Sequence, residues 1–197
     1  MYHSNIYGSL IASLAGYKNI IWGIHDTNII NKTNFFKKFF SKLYLLLSKI
    51  LPHKIIYCAK SARVYYESVN FPSYKGVLIV NGFDISQFKL NKKLGHAFRN
   101  NLKISNNFLI GHVGRYHPLK DHKTFLLALS KLKKKTHEKF YCILVGSNID
   151  DNNLELSKFK LELELEENVS FIGQINDITA VMNAIDLFVL SSISEAF

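Results

Sequence analysis

Residues Gly111–His122 read GHVGRYHPLKDH, the densest set of side chains able to do chemistry in the chain. An apolar run leads into Gly114-Arg115, a turn at Pro118 follows, and Asp121 stands where it would cap a helix from Lys123. In an open parallel sheet, ligands bind beyond the carboxyl ends of the strands, so this loop would offer Arg115 and Lys120 to a ligand crevice. A planar guanidinium fork and a compact ammonium on one short loop suit a diphosphate. Gly114 would allow close backbone approach. His112, His117 and His122 recur along the same stretch, but Gly114 and Pro118 interrupt any helix that could bring them to one metal ion, so no metal site is expected. Three further candidates sit at ends of apolar runs. Glu195 lies in SSISEAF, His25 in WGIHDT, and Gly146-Ser147 forms a phosphate-side turn after FYCILV. A Gly-x-Ser-x-Gly elbow, a signature Cys/His pair, HExxH and a Walker A loop are all absent from the sequence.

These residues need strands to hold them, and the sequence supplies seven short apolar runs. They are Asn19–Ile24, Lys54–Cys58, Gly76–Val80, Phe108–Val113, Phe140–Val145, Val169–Ile172 and Leu187–Leu190. All are rich in Ile and Val without strict alternation, as strands of a parallel sheet covered on both faces are. Helical patterns lie between them, near 34–51, 60–69, 121–135, 153–166 and 177–184. Strand then helix, repeated, predicts an α/β fold with open parallel sheets. The polar, Asn- and Lys-rich stretch 81–107, with a weak helix near 92–102, breaks the rhythm and reads as an interdomain connection. The expected division is a partial first domain over 1–84, a connection over 85–106, and a partial second domain over 107–197.

The 197 residues carry a formal net charge of +10, and 48% are hydrophobic. That apolar content excludes intrinsic disorder. Two cysteines, both inside apolar runs, exclude a disulfide scaffold, and no window is long and apolar enough for a membrane span. The amino-terminal MYHSNIYGSL has no basic region ahead of an apolar one and is not read as a signal peptide. A reduced, cytoplasmic setting is the expectation. The charge is uneven: residues 1–100 sum to +11 and residues 101–197 to −1. Only Arg63, Arg99 and Arg115 among the basic residues are arginine, which argues for a general anionic surface over base readout.

Projected at about 100° per residue, the helix near 34–51 gathers Lys38, Lys42 and Lys49 within about 40° of one another. Phe36, Phe40, Leu43, Leu47 and Leu51 lie opposite, and Phe35, Phe39, Leu46 and Ile50 widen that arc. A basic face against an aromatic-rich apolar one suits an interfacial membrane helix, and a wide apolar arc also suits packing on a sheet.

The ordered set IIWGIHDT, KIIYCAKSA, VLIVNGFDISQF, IGHVGRYHPLKDHKTFLLA, FYCILVGS and VSFIGQINDITAVMNAIDLFVLSSISEAF resembles the family-four (group 1) retaining glycosyltransferases of GT-B fold. Bacterial enzymes of capsule and O-antigen synthesis look most similar. The resemblance implies two Rossmann-like domains, the first binding a glycan or lipid-linked acceptor and the second a nucleotide sugar such as a UDP- or GDP-sugar. It implies that Gly114, Arg115 and Lys120 hold the donor diphosphate and stabilise the leaving nucleoside diphosphate. Glu195 would be the first carboxylate of the family's E-x7-E motif, contacting the donor sugar. His25 would be the acceptor-domain histidine near the reacting sugar. Gly173 and Gln174, with Gly146, would meet the nucleotide. Neither a metal nor another cofactor is implied, because the cationic pair does that work, and no nucleic acid partner is expected. Peripheral contact with an anionic membrane fits the basic first half.

The sequence departs from the family in extent. The second carboxylate of E-x7-E and the family's glycine-rich donor loop are not in it, so both domains are expected to be incomplete and the chain to be an internal fragment, of doubtful activity alone. A GT-B epimerase or phosphorylase, and a non-catalytic basic binding module, are the alternative readings.

Overall fold

The computed structural model describes residues 2–26, 35–104 and 107–195. The chain divides into two compact units, Met1–Phe83 with Ser194–Phe197, and Asp84–Ile193.

The first unit runs α1 (Tyr2–Leu14), β1 (Ile21–Ile24), α2 (Phe35–Ile50), β2 (Lys54–Tyr57), α3 (Lys60–Ser68) and β3 (Gly76–Leu78). Its strands form a parallel sheet in the order β1-β2-β3, with Trp22 beside Ile55. Trp22, Ile24, Ile55 and Tyr57 are buried, and their core is aromatic. The Trp22 and Tyr44 rings stack at 4.7 Å, and Phe71 meets Tyr44 and Tyr66 edge-on at 5.4 and 4.9 Å. Burying one such side chain contributes roughly 1.5–3 kcal/mol. The amino-terminal helix α1 has no counterpart in the sequence reading. It is fastened by polar contacts more than by an apolar stripe. The Asn5 amide donates to the Gly23 carbonyl (3.1 Å) and the Tyr44 hydroxyl (2.7 Å), and Trp22 Nε1 donates to Ser9 Oγ at 2.6 Å.

The side that α2 turns to the core is centred on Tyr44 and Ser48, with Leu47 and Leu51 partly buried. The predicted arc is therefore too wide: Phe39, Leu46 and Ile50 are exposed. Lys38, Lys42 and Lys49 are exposed as well, and the side chains of Phe35 and Phe36 lie outside the described residues.

The second unit runs α4 (Lys92–Asn101), β4 (Phe108–Val113), α5 (His122–Lys135), β5 (Phe140–Val145), α6 (Leu154–Glu162), β6 (Val169–Gly173), α7 (Ile178–Ala184) and β7 (Leu187–Phe188). The four strands form a parallel sheet in the order β6-β5-β4-β7. Leu109, Ile143 and Val145 pack with residues of α4 and α7, while Ile110, Cys142 and Leu144 pack with residues of α5 and α6. Both faces are covered, which is why the strand sequences show no alternation.

The stretch read as a connection, 85–106, carries α4, and α4 packs on α7. Gly95 makes this possible, since a Cβ there would lie 2.2 Å from the Asn183 carbonyl oxygen. Arg99 donates to the Ala184 carbonyl (2.6 Å) and pairs with Asp186 at 2.6 Å, and Asp186 also accepts from the Leu109 amide at 2.7 Å. The weak helical signal near 92–102 thus belongs to the second unit, whose first residue is Asp84. Ser105 and Asn106 lie outside the described residues.

Candidate functional site

Three strand exits of the second unit are laced together by main-chain hydrogen bonds. The Gly114 amide donates to the Val145 carbonyl (2.8 Å), and the Tyr116 amide to that of Ser147 (2.8 Å). The Gly146 amide donates to the Gly173 carbonyl (2.8 Å), and the Gly173 amide to that of Ile149 (2.7 Å). Gly114, Gly146 and Gly173 therefore gather at the carboxyl ends of β4, β5 and β6, with Arg115 and Gln174 exposed beside them.

The glycine that permits the close approach is Gly146, not Gly114. A Cβ on Gly114 would meet only ordinary contacts, 3.6 Å from His112 Cε1 and from Lys120 Cδ and Cε. Gly146 has φ +154°, and its Cβ would lie 2.2 Å from the Gly114 carbonyl oxygen. The steric demand thus falls one strand over, where the β4 and β5 exits meet back to back. Gly173 has φ +78°, a value that side-chain-bearing residues rarely adopt.

Between Gly114 and α5 the loop is braced at each step. His117 Nδ1 accepts from the Leu119 amide (3.2 Å) and starts a single tight turn at Pro118–Lys120. Asp121, at φ 47°, accepts from the Thr124 amide (3.2 Å) and caps α5, as the sequence predicts. The amino end of α5 favours a negative charge, which the Asp121 carboxylate already supplies there. The stem of Lys120 lies over Gly114, so one cation is half-buried and the other, Arg115, is exposed. Segment Ser191–Ile193, after β7, is tied to this turn: Ser191 Oγ donates to the Lys120 carbonyl (2.8 Å), and the Ile193 amide to that of Leu119 (2.9 Å).

On the outer side of the loop a cavity of about 270 Å³ is lined by Tyr116, His117, Pro118, Asp121, His122, Lys123 and Glu155. Glu155 accepts from Tyr116 Oη (2.6 Å) and pairs with Lys123 (2.7 Å). Burial, then the Glu155 carboxylate, pushes the Tyr116 hydroxyl up to about 12, so it remains a donor. The Lys123 and Tyr116 hydrogen bonds hold Glu155 below its usual range. Among the described residues no three His, Cys, Asp or Glu side chains converge as metal ligands would. Burial pushes both thiols, Cys58 and Cys142, above their ordinary value, so neither is an activated nucleophile.

The two remaining candidates are held differently. His25 follows β1 directly and is exposed; its Nε2 would lie 3.2 Å from a Cβ on Gly23, so the ring folds back over that glycine. The next residue, Asp26, accepts a hydrogen bond from the hydroxyl of buried Tyr66 on α3. Burial, then Asp26, pushes Tyr66 far above its ordinary value, so it stays protonated. Glu195 is exposed and groups with the first unit; Ala196 and Phe197 lie outside the described residues. Sequence reading missed Asp26–Tyr66, which are 40 residues apart, and Ser191, for which the polar SSIS after an apolar run was a usable signal.

Residues 96–197 match the family model described as glycosyl transferases group 1. Two curated relatives are similar along nearly the whole chain. The putative glycosyltransferase EpsF of Bacillus subtilis (strain 168) is 28% identical over 193 residues, covering 95% of this chain and 48% of the relative. The O-antigen biosynthesis glycosyltransferase WclY of Escherichia coli is 29% identical over 196 residues, covering 99% and 47%. The chain thus spans about half the length of the curated relatives it matches. Among solved structures, Anabaena Alr3699/HepE in complex with UDP-glucose superposes with a TM-score of 0.83 at 22% identity, over 98% of this chain and 51% of that one. HepE has also been solved with UDP and glucose. The fold is that of the GT-B glycosyltransferases.

Proposed function

The chain belongs to the group 1 glycosyl transferases, and on that premise we propose that the protein transfers a sugar from a nucleotide-sugar donor to a glycan or lipid-linked acceptor in bacterial surface polysaccharide synthesis. Transfer retains the anomeric configuration and needs no divalent metal. The observation that carries the donor half is the gathering of Gly114, Arg115, Lys120, Gly146 and Gly173 at three adjacent strand exits, beside the amino end of α5. HepE in complex with UDP-glucose supports a uridine donor, and the polysaccharide assignment leans on WclY.

In this reading an acceptor hydroxyl oxygen bonds to the anomeric carbon as the bond from that carbon to the diphosphate oxygen breaks; the electron pair stays on the diphosphate, which takes up the hydroxyl proton. Arg115 and Lys120 offset that charge as it develops, which is the task a metal performs elsewhere. Gly146, Gly173 and Gln174 meet the nucleotide, Glu195 contacts the donor sugar, and His25 stands on the acceptor side near the reacting carbon. A screen of UDP- and GDP-sugars tests this by following release of the nucleoside diphosphate in chelator. One donor class should be cleaved with chelator present, and the anomer of the transferred sugar should match the donor's. Release only with added divalent metal, or an inverted product, would overturn the corresponding part.

The acceptor half is proposed to work at the cytoplasmic face of a membrane. Lys38, Lys42 and Lys49 of α2 are exposed beside exposed Phe39, Leu46 and Ile50, the pairing of cations and apolar side chains that an anionic lipid surface takes up. No helix among the described residues is long and apolar enough to cross a membrane. Each lysine near such a surface contributes about 1 kcal/mol. Changing all three to Glu should abolish cosedimentation with vesicles rich in anionic lipid, and unchanged cosedimentation would remove α2 from the interface.

A further inference from the structure

Behind the loop of cations lie two histidines that the donor contacts do not use. His112 is in β4 and His122 is the first residue of α5; they are 0% and 2% exposed. Their ring centroids are 4.6 Å apart, Tyr116 flanks His122 at 5.5 Å, and Phe125 flanks His112 at 5.2 Å. The strand that enters the loop and the helix that leaves it are thus joined through imidazoles. Around them, the Gly114 carbonyl lies beside His122, and Ser191 Oγ lies 3.4 Å from His112 Nε2 while donating to the Lys120 carbonyl. Neither ring nitrogen of His122 reaches a partner in good hydrogen-bond geometry, and the Gly114 carbonyl is the polar group it approaches. Burying an imidazole that way is costly, and a leucine or phenylalanine would fill the same space without the cost. A titratable ring kept there calls for a reason beyond packing.

We propose that His122 is a positioning residue for the donor site: its neutral ring clamps the Gly114–Lys120 loop so that Arg115 and Lys120 face one diphosphate, and its protonation releases the clamp. The donor part of this rests on the function proposed above. The charged and titratable groups facing the ring come from every neighbouring element. Lys120 and Asp121 flank it on its own loop, His112 stands on β4, and Tyr116 and His117 lie on the loop. The Lys123–Glu155 pair lies across the cavity that His122 helps to line. Burial is the largest influence and disfavours the imidazolium. The Gly114 carbonyl favours it, Lys120 disfavours it and Asp121 favours it, and the outcome is a pKa below the ordinary histidine value. The clamp is therefore complete above about pH 6.5 and is lost as pH falls from there toward the lower value of the closed loop.

The test is donor affinity and loop protection between about pH 7.5 and 5.5 in the wild type, His122→Phe and His122→Ala. UDP-glucose is the probe, because its diphosphate diester keeps its charge over this range. Protection of the Gly114, Tyr116 and Lys120 amides against hydrogen exchange is measured without ligand. In the wild type, affinity should weaken about tenfold on acidification and protection should fall with it. His122→Phe keeps the ring contacts without the proton, so both should become independent of pH. His122→Ala should lower protection at every pH, and should weaken donor binding and lower kcat together, because the cations it positions also offset the charge on the leaving diphosphate. His122→Phe with the wild-type acid response, or His122→Ala with wild-type protection, overturns the proposal. No binding of UDP-glucose at the upper pH would count against the donor reading, and the ligand-free protection would still decide the clamp.

Discussion

In the second unit, Gly114, Gly146 and Gly173 are fixed by main-chain hydrogen bonds that run from one strand exit to the next. In the first unit, His25 stands one residue past its strand and is steadied by side chains. Its ring rests over Gly23, and its neighbour Asp26 is held by the Tyr66 hydroxyl. A site framed by main chain keeps its frame when side chains change but not when a Cβ is added at its contact points; the side chains it carries, such as Arg115, act on the ligand and leave the frame alone. A site built from side chains has the opposite sensitivities. The charge is divided less sharply than the sites: the first unit carries ten Lys and Arg against three Asp and Glu, net +7, and the second fifteen against twelve, net +3.

The largest effect expected separates the two sites by assay. Arg115→Ala should lower kcat by about 10²–10³, the usual loss when one stabiliser of a developing oxyanion is removed, and should weaken donor binding as well. His25→Ala should lower transfer and leave donor binding unchanged. Measuring both variants for UDP-glucose affinity and for transfer would break the comparison if His25→Ala lost donor affinity to the same degree.

The next effect contrasts two glycines of one site. Gly146→Ala places a Cβ 2.2 Å from the Gly114 carbonyl oxygen at φ +154°, so the β4 and β5 exits must part. A cost of about 2–3 kcal/mol in unfolding free energy is expected, with loss of donor binding. Gly114→Ala meets contacts no closer than 3.6 Å and should cost less than about 1 kcal/mol. Denaturant titration of both decides which glycine the site requires.

That contrast also marks where the sequence was legible. The seven apolar runs stand where strands β1 to β7 lie, because burial on both faces of a parallel sheet leaves a signal in composition alone. The placement of Gly114, Arg115, Gly146 and His25 at strand exits was legible for the same reason, since a residue after such a run has one place to go. The steric role of Gly146 was not, because it depends on the distance to a carbonyl on another strand. Helix α1 escaped notice because polar contacts from Asn5 and Ser9 fasten it, and those leave no apolar period. The histidines of Gly111–His122 were visible as residue types, but the stacking of His112 on His122 needs the turn through Pro118 to bring them together.

A smaller effect tests the side-chain-built site. Tyr66→Phe removes the donor to Asp26 and leaves the aromatic core of Tyr57 and Phe71 in contact with the ring. A hydrogen bond to a carboxylate contributes about 1.5–3 kcal/mol when buried and less when half-exposed, so a loss of about 1–2 kcal/mol in stability is expected. Transfer should fall several-fold through the loosened His25, with donor affinity untouched. Wild-type transfer in Tyr66→Phe would leave His25 positioned by Gly23 alone.

The smallest effect asks whether side chains far from the strand exits matter to the second unit's site. At the amino end of its sheet, away from the glycines, Asp186 accepts from the Leu109 amide and pairs with Arg99 of α4. Burial raises the Asp186 pKa, but the Leu109 amide and then Arg99 outweigh it, and the carboxyl titrates below its usual value. Its contribution is therefore present above about pH 3.9 and is lost as pH falls through the lower folded value. With the carboxyl 39% exposed, solvent screening keeps that contribution below about 1 kcal/mol. Asp186→Asn should lower stability by that small amount near neutrality, and the gap to the wild type should close in acid. Donor affinity should not change, because the main-chain lacing lies at the opposite end of the strands. If Asp186→Asn weakened UDP-glucose binding as Gly146→Ala is expected to, the donor site would depend on side chains at both ends of the sheet, and the contrast between the two units would fail.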